Sequence, residues 1–222
     1  MAIESFRTYL EEGVNDPGIF KAVFMAGGPG SGKSFVVGKT ALTSFGLKLI
    51  NSDIAFETFL KKVGMTASPE NIYSEKGQEL RKQAKDVTSL KHKLAVEGRL
   101  GLVIDGTGKD YAKIEKQMKQ LEALGYDTMM LFVNTDDKTA LDRNNSRERS
   151  LPDDEVLSMW KGVQNNLGKF QNLFRNNIVI VDNSDGHNIE GATLQAYKKV
   201  GAWVKSPVKN HVAKRWIKQH SK

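Results

Sequence analysis

No cysteine occurs among the 222 residues. That excludes a disulfide scaffold and any zinc or redox centre built on thiolates. Long apolar runs are missing too: none approaches the roughly 18 residues of a membrane span. The opening stretch MAIESFRTYLEEG has neither a basic n-region nor an apolar h-region. No secretory leader is expected, and a cytoplasmic compartment follows. Acidic residues are lacking from one part of the chain. Residues 191–222 hold eight Lys or Arg and no Asp or Glu, whereas residues 1–190 hold 25 basic against 26 acidic. The net charge of +7 therefore belongs to the C-terminal 32 residues. A basic segment of this kind suits nucleic acid or another anionic surface, or is a solvated helix face without a partner.

What is present describes a folded globule. Hydrophobic residues make up 39% and charged residues 27%, which suits one domain, or one domain with an appendage, and not a disordered chain. Ile3, Phe6 and Leu10 share a helical face, so 3–12 reads as a short docking helix. Short apolar runs at 21–26, 47–51, 100–104, 127–133 and 177–182 read as buried strands. Helical patterns fall between them: about 33–45, 75–98 and 110–124, with further helices opening at Ser68-Pro69 and at Pro152-Asp153. Val156, Trp160, Val163, Leu167 and Phe174 form the apolar stripe of the latter. Asp136 and Asp137 suit the first turn of another helix. Amphipathic segments at 188–205 and 206–219 close the chain, with Leu194, Tyr197, Val200, Val208, Val212 and Trp216 as packing positions. Alternating strands and helices predict an α/β fold with a five-stranded, mainly parallel sheet covered by helices on both faces. The expected division is a domain over 1–190 and a basic helical extension over 191–222 packed on it.

Ligands of such sheets bind at the carboxyl ends of the strands, and the chemistry-bearing residues fall there. Residues 27–34, Gly-Gly-Pro-Gly-Ser-Gly-Lys-Ser, follow the first strand and open a helix. They fit the phosphate-binding loop pattern of nucleoside triphosphatases. Gly28, Gly30 and Gly32 let the backbone turn N–H groups onto phosphate oxygens, with Ser31 in the same turn. The helix adds its positive end. Lys33 reaches the β- and γ-phosphates, and Ser34 offers its hydroxyl to Mg²⁺. The expected cofactors are ATP and Mg²⁺. Asn51-Ser52-Asp53 ends the second strand. A carboxylate there can orient an incoming hydroxyl and take its proton, or simply cap the next helix. Asp105 ends the third strand, where a carboxylate holds Mg²⁺ directly or through water. Thr107 and Lys109 follow in the turn. Arg143, Arg147 and Arg149 lie between two helices. Their guanidinium forks match phosphate oxygens, so 143–152 reads as a lid that closes on ATP. His92, His187, His211 and His220 show no metal-ligand spacing.

Taken in order, AGGPGSGKS, NSD, VIDGTG and RNNSRERSLPDDEV resemble the P-loop kinases grouped with polynucleotide kinase and the zeta toxins. The likeness covers about residues 21–175. The lid segment is similar to that of phage polynucleotide 5′-kinase, and VIDGTG to the turn of the form acid, any residue, threonine. The resemblance implies that Lys33 and Ser34 bind the triphosphate and Mg²⁺. It makes Asp53 the general base and places Asp105 and Thr107 near metal or acceptor. It assigns Arg143, Arg147 and Arg149 to the lid. Lys109 stands where zeta-like sequences often carry arginine. No DxDxT phosphatase motif occurs, which argues against a bifunctional end-healing enzyme. The group also includes phage kinases that act on hydroxymethyl groups of modified pyrimidines in DNA.

The expected activity is phosphotransfer from ATP to a hydroxyl. The leading acceptor is nucleic acid, at a 5′-end or a hydroxymethylated base, supported by the basic C-terminal segment. Residues 76–99 add seven basic against three acidic residues. A nucleotide-sugar kinase of the zeta type is the alternative. An NTP-binding switch or ATPase without acceptor is the third reading.

Overall fold

The computed structural model describes residues 13–40, 42–146 and 150–221. The helix expected over 3–12 lies outside the described residues. Five strands form one sheet: β1 (Lys21–Ala26), β2 (Lys48–Ile50), β3 (Leu102–Asp105), β4 (Asp127–Asn134) and β5 (Ile178–Asp182). Their order is β2-β3-β1-β4-β5 and every pairing is parallel. Nine helices accompany them among the described residues: α1 (Lys33–Thr40), α2 (Ser52–Lys62), α3 (Pro69–Tyr73), α4 (Glu75–Glu97), α5 (Tyr111–Ala123), α6 (Asp137–Asn145), α7 (Asp153–Phe174), α8 (Ile189–Lys205) and α9 (His211–His220).

The sheet is buried on both faces because its strands alternate between two cores. Ala22, Phe24 and Ala26 of β1 join Ile114, Met118, Val163, Phe170 and Phe174 from α5 and α7. Val23 and Met25 point the other way, to Val36 of α1 and Ala196, Val200 and Val204 of α8. This two-residue alternation is what a strand between two helix layers requires. A third, smaller cluster of Phe56, Leu60, Ile72, Leu80 and Ala84 holds α2, α3 and α4 together beside the sheet.

Several boundaries differ from expectation for identifiable reasons. The helix expected over 33–45 ends at Thr40, and a 3-10 turn over Leu42–Phe45 carries the fully buried Leu42 into the core. The second strand stops at Ile50, because Asn51 leaves the sheet to cap α2. Helix α2 was expected only as the helix that Asp53 could cap, without bounds; the cap is Asn51. On α8 the inward face is Thr193, Ala196, Val200 and Val204, while Leu194 is exposed. Small side chains bring α8 close to the 3-10 turn, where Phe45 stacks on Tyr197 and a Cβ at Gly201 would meet the Phe45 ring at 2.8 Å.

Helix α9 and the residues leading into it sit at the amino end of the sheet. Asp127, the first residue of β4, accepts hydrogen bonds from the Lys209 and Asn210 backbone N–H groups at 2.8 and 3.0 Å. The same carboxylate pairs with the buried Lys21 at 3.1 Å. Trp216 of α9 packs edge-on against Phe20 and under the Arg99 guanidinium. The phosphate-binding loop leaves β1 after Ala26. Five residues of strand separate Lys21 from that end, roughly 17 Å at the usual rise.

Candidate active site

Strand register brings the site together. Met25 of β1 pairs with Asp105 of β3, and Ile50 of β2 pairs with Ile104. Asn51 therefore arrives beside Asp105, and the loop after Ala26 rises next to both. Asp105 is the centre of this cluster. One carboxylate oxygen accepts from the Asn51 amide at 2.6 Å, and the other lies 3.1 Å from the Lys33 ammonium. That second oxygen is buried and has no aligned hydrogen-bond donor among the described residues, so its contact with Lys33 is an ion pair only.

The loop over 27–32 is shaped by glycines at two positions in particular. Gly30 and Gly32 take φ of +72° and +76°, where side chains are strained. A Cβ at Gly30 would run into the Ala140 backbone, and one at Gly32 into the Asn183 amide. Asn183 is buried and donates to the Ser31 carbonyl at 2.7 Å, pinning the loop from below. The loop leads directly into α1, whose first N–H groups have no intrahelical acceptor. Ser34, in the first turn of α1, is exposed beside them, and the buried Ser31 hydroxyl has no partner among the described residues.

Asn51 links two functional positions. Its side-chain oxygen accepts from the Asp53 N–H at 2.7 Å while its amide donates to Asp105. Asn51 is thus the cap of α2, and Asp53, at the second helical position, is left with an exposed carboxylate. No ion-pair partner for Asp53 lies within 4.0 Å among the described residues. On the other side of Asp105, the Thr107 carbonyl accepts from Gly27 N–H at 3.0 Å, tying this turn to the phosphate loop. The Thr107 side chain is exposed. Lys109 follows and also points outward.

Arg143 stands in the last turn of α6. Its guanidinium donates to the Asn183 carbonyl at 2.8 Å and to Asp185 at 2.7 Å, one turn from the Gly32 region it flanks. It anchors the segment after β5 to the rim of the phosphate loop. Arg147 and Arg149 lie outside the described residues. The ends of their segment are joined, because the buried Asn144 side chain exchanges hydrogen bonds with the Leu151 N–H and carbonyl at 3.0 and 2.8 Å.

Three asparagines escaped the sequence reading. Asn183 and Asn144 are described above. Asn166 sits in the buried stripe of α7 and donates to the Gly108 and Lys109 carbonyls at 3.0 and 2.8 Å. It fixes the turn that follows Asp105. A polar residue inside an otherwise apolar stripe was the available signal for Asn166; Asn144 stood in the lid segment without a role of its own, and Asn183 had no signal.

Beside Asp105 lies a recess of about 240 Å³ between α4, α5 and the ends of β1 and β3. Ser52, Thr88, Asp110, Lys113 and Gln117 supply its polar walls. No cluster of three or more His, Cys, Asp or Glu suited to a metal occurs among the described residues. The donor set fits Mg²⁺ nonetheless. This ion takes one or two carboxylates together with substrate phosphates and water. Asp105 has an oxygen without an aligned donor, and Ser34 stands exposed at the start of α1.

Helix α6, which backs the phosphate loop, is itself held by Asp136. One carboxylate oxygen accepts from the Thr139 N–H and the other from its hydroxyl, both at 2.7 Å, and the Asp136 N–H donates to Ser184. The Thr139 backbone and side-chain hydrogen bonds hold the carboxyl below its usual value. A depressed folded-state value means stability that is full above the ordinary aspartate value and lost as pH falls from there through the depressed one. Asp136→Ala is expected to cost about 1 kcal/mol at pH 7. It should also flatten the acid-side decline of stability, as measured by urea unfolding at pH 7 and pH 3.

A family model described as Zeta toxin matches residues 11–190. Among solved structures, the PezAT chromosomal toxin-antitoxin system of Streptococcus pneumoniae aligns with a TM-score of 0.58 at 16% identity. It covers 91% of this chain and 94% of that one. The AvrRxo1-ORF1:AvrRxo1-ORF2 structure with sulphate ions aligns with a TM-score of 0.61 at 14% identity, covering 92% of this chain and 69% of that one. A gluconokinase from Sinorhizobium meliloti aligns with a TM-score of 0.50 at 14% identity, covering 85% and 99%. At these identities the likeness is one of fold. No curated protein matches the chain in sequence. No helix among the described residues is long and apolar enough to cross a membrane.

Proposed function

The chain belongs to the zeta toxin family, and we propose that it transfers the γ-phosphoryl group of ATP to a hydroxyl of a small nucleotide-type acceptor such as a nucleotide sugar. It is a P-loop phosphotransferase with a hydroxyl acceptor. The choice of acceptor is the further step, and the recess beside Asp105 carries it. That space of about 240 Å³ lies just below the usual range of small-molecule sites and holds one sugar-sized ring bearing hydroxyls, not a base-paired duplex.

The roles follow from position. The 27–32 loop and the start of α1 hold the triphosphate through backbone N–H groups. Lys33, paired with Asp105 in this structure, transfers its ammonium to the β- and γ-phosphates when these arrive. Ser34 and Asp105 would hold Mg²⁺, which neutralises phosphate charge and helps orient the γ-phosphoryl group. Asp53 accepts the proton of the attacking hydroxyl and sets it in line. Thr107 orients the acceptor or the nucleotide from the adjoining turn. Arg147 and Arg149 stabilise charge on the moving phosphoryl group, while Arg143, engaged by Asn183 and Asp185, braces the rim of the phosphate loop and joins them only by leaving those partners. Helix α8 crosses the expected boundary at residue 190, and its Ala196, Val200 and Val204 belong to the core on one face of the sheet, so it counts with the kinase domain.

One observation favours nucleic acid as an alternative acceptor. Lys82, Lys85 and Lys93 are exposed on α4, within two turns of Thr88 at the recess. Lys209, Lys214 and Lys218 lend less support, since α9 docks at the opposite end of the sheet. Replacing Lys209, Lys214, Arg215 and Lys218 together by Gln is expected to leave transfer to a small acceptor within twofold of the parent. It would flatten the salt dependence of any DNA or RNA binding. A deletion of α9 would not be an equivalent test, because it strips Ala213 and Trp216 from the core.

The assignment is tested by offering UDP-sugars, 5′-hydroxyl oligonucleotides and hydroxymethyl-pyrimidine DNA together with γ-labelled ATP. Label is expected on a UDP-sugar. Label confined to a polymer would move the acceptor to nucleic acid.

A further inference from the structure

The lobe of α2, α3 and α4 has its own core and stands against the recess. Helices α2 and α4 run antiparallel within it. Ser52 and Thr88 line the recess together. One turn further along α2 and two turns back along α4, the Arg81 guanidinium lies 4.7 Å over the Phe56 ring. Seven residues of helix separate Arg81 from Thr88, which places them roughly 10 Å apart on one face.

Arg81 is unusual among the arginines described. It is half-buried, and its Nε is buried without a hydrogen-bond partner. No carboxylate lies within 4.0 Å of it among the described residues. Leaving a buried donor unmade costs energy that folding does not recover. The stack on Phe56 restrains the guanidinium plane and keeps its fork available. Lys82 and Lys85 are exposed on the same helix and add positive potential around it. The buried Nε is closed to a ligand, but the outer edge made by the two Nη groups is not, and such an edge takes two phosphate oxygens at once.

We propose that Arg81 is an anion site for the acceptor, binding a phosphate of the molecule whose hydroxyl is seated in the recess, two helical turns along α4 from Thr88. The inference rests on the acceptor cleft proposed above and adds the feature that separates a nucleotide-type acceptor from a free sugar. Binding energy gathered at Arg81, remote from the reacting atoms, fixes the acceptor in register with Asp53.

The test compares the parent protein with Arg81→Gln and Arg81→Lys. Acceptor binding is measured by calorimetry with a saturating non-hydrolysable ATP analogue, using UDP-sugars, UMP, the free sugars and a 5′-hydroxyl oligonucleotide. KM and kcat are measured on whichever of these accepts label. Arg81→Gln is expected to weaken phosphate-bearing acceptors at least tenfold, through KM and not kcat, with KM for ATP and the response to free sugars unchanged. Arg81→Lys, which keeps the charge but not the fork, should recover only part of the loss. Unchanged affinity of Arg81→Gln for phosphate-bearing acceptors would overturn the proposal. So would an equal loss for free sugars, or absence of binding of every phosphate-bearing probe by the parent protein. Transfer to a UDP-sugar with Arg81→Gln unaffected overturns the anion site while leaving the proposed function standing. Label found only on the oligonucleotide, with Arg81→Gln impaired, keeps the anion site and overturns the small acceptor.

Discussion

Lys33→Ala is expected to lower phosphoryl transfer on the order of 10³-fold or more, which corresponds to about 4 kcal/mol of transition-state stabilisation. Lys33 is the cation placed to follow the phosphates, and no other described side chain offers an ammonium to Asp105. The loss should appear in kcat and kcat/KM together, because the ammonium meets most charge as the phosphoryl group moves. Removing it also leaves a half-buried Asp105 carboxylate with the Asn51 amide alone. A thermal unfolding scan therefore accompanies the kinetics. A folded Lys33→Ala protein with normal turnover would remove the phosphate-loop assignment altogether.

Asp53→Asn should be nearly as damaging to turnover and harmless to the fold. The side chain is exposed at the second position of α2, and the capping hydrogen bond belongs to Asn51. Replacing it with an isosteric amide removes a proton acceptor without disturbing the helix start. A loss of about 10²-fold in kcat is expected, the usual scale for a general base. Binding of ATP should be unchanged, since Asp53 lies on the acceptor side of Asp105. Steady-state kinetics and nucleotide titration on one preparation separate the two effects. Unchanged kcat would reduce Asp53 to a surface residue.

These two positions were legible in the sequence because each belongs to a local pattern. The phosphate loop is contiguous, Asp105 ends an apolar strand, and Asp53 follows another by three residues, in the first turn of α2. The sheet was legible for the same reason, since β1 and β4 alternate between two cores and read as buried runs. What could not be read depends on contacts made across long stretches of chain. Asn183 pins the Ser31 carbonyl from 152 residues away, and Asn166 holds the Gly108 carbonyl across 58. An asparagine carries no local mark of such a partner. Asn51 was visible as part of a strand end, yet its double role appeared only once β2 and β3 stood side by side. The inward face of α8 was misplaced by one position near Leu194. Small residues there serve a close approach that periodicity of large apolar residues does not reveal. The charge excess was read correctly as C-terminal but not located. The structure sets α9 at the far end of the sheet, so the charge of Lys209, Lys214, Arg215 and Lys218 is separated from the chemistry.

The most direct measurement is the stoichiometry of a single reaction: ADP formed against phosphate covalently attached to a UDP-sugar hydroxyl. Mass spectrometry identifies the product, and Asp53→Asn serves as control. The proposed mechanism requires one phosphorylated acceptor for each ADP, with both falling together in the variant. ADP accompanied only by free inorganic phosphate, whatever hydroxyl compound is supplied, would contradict it.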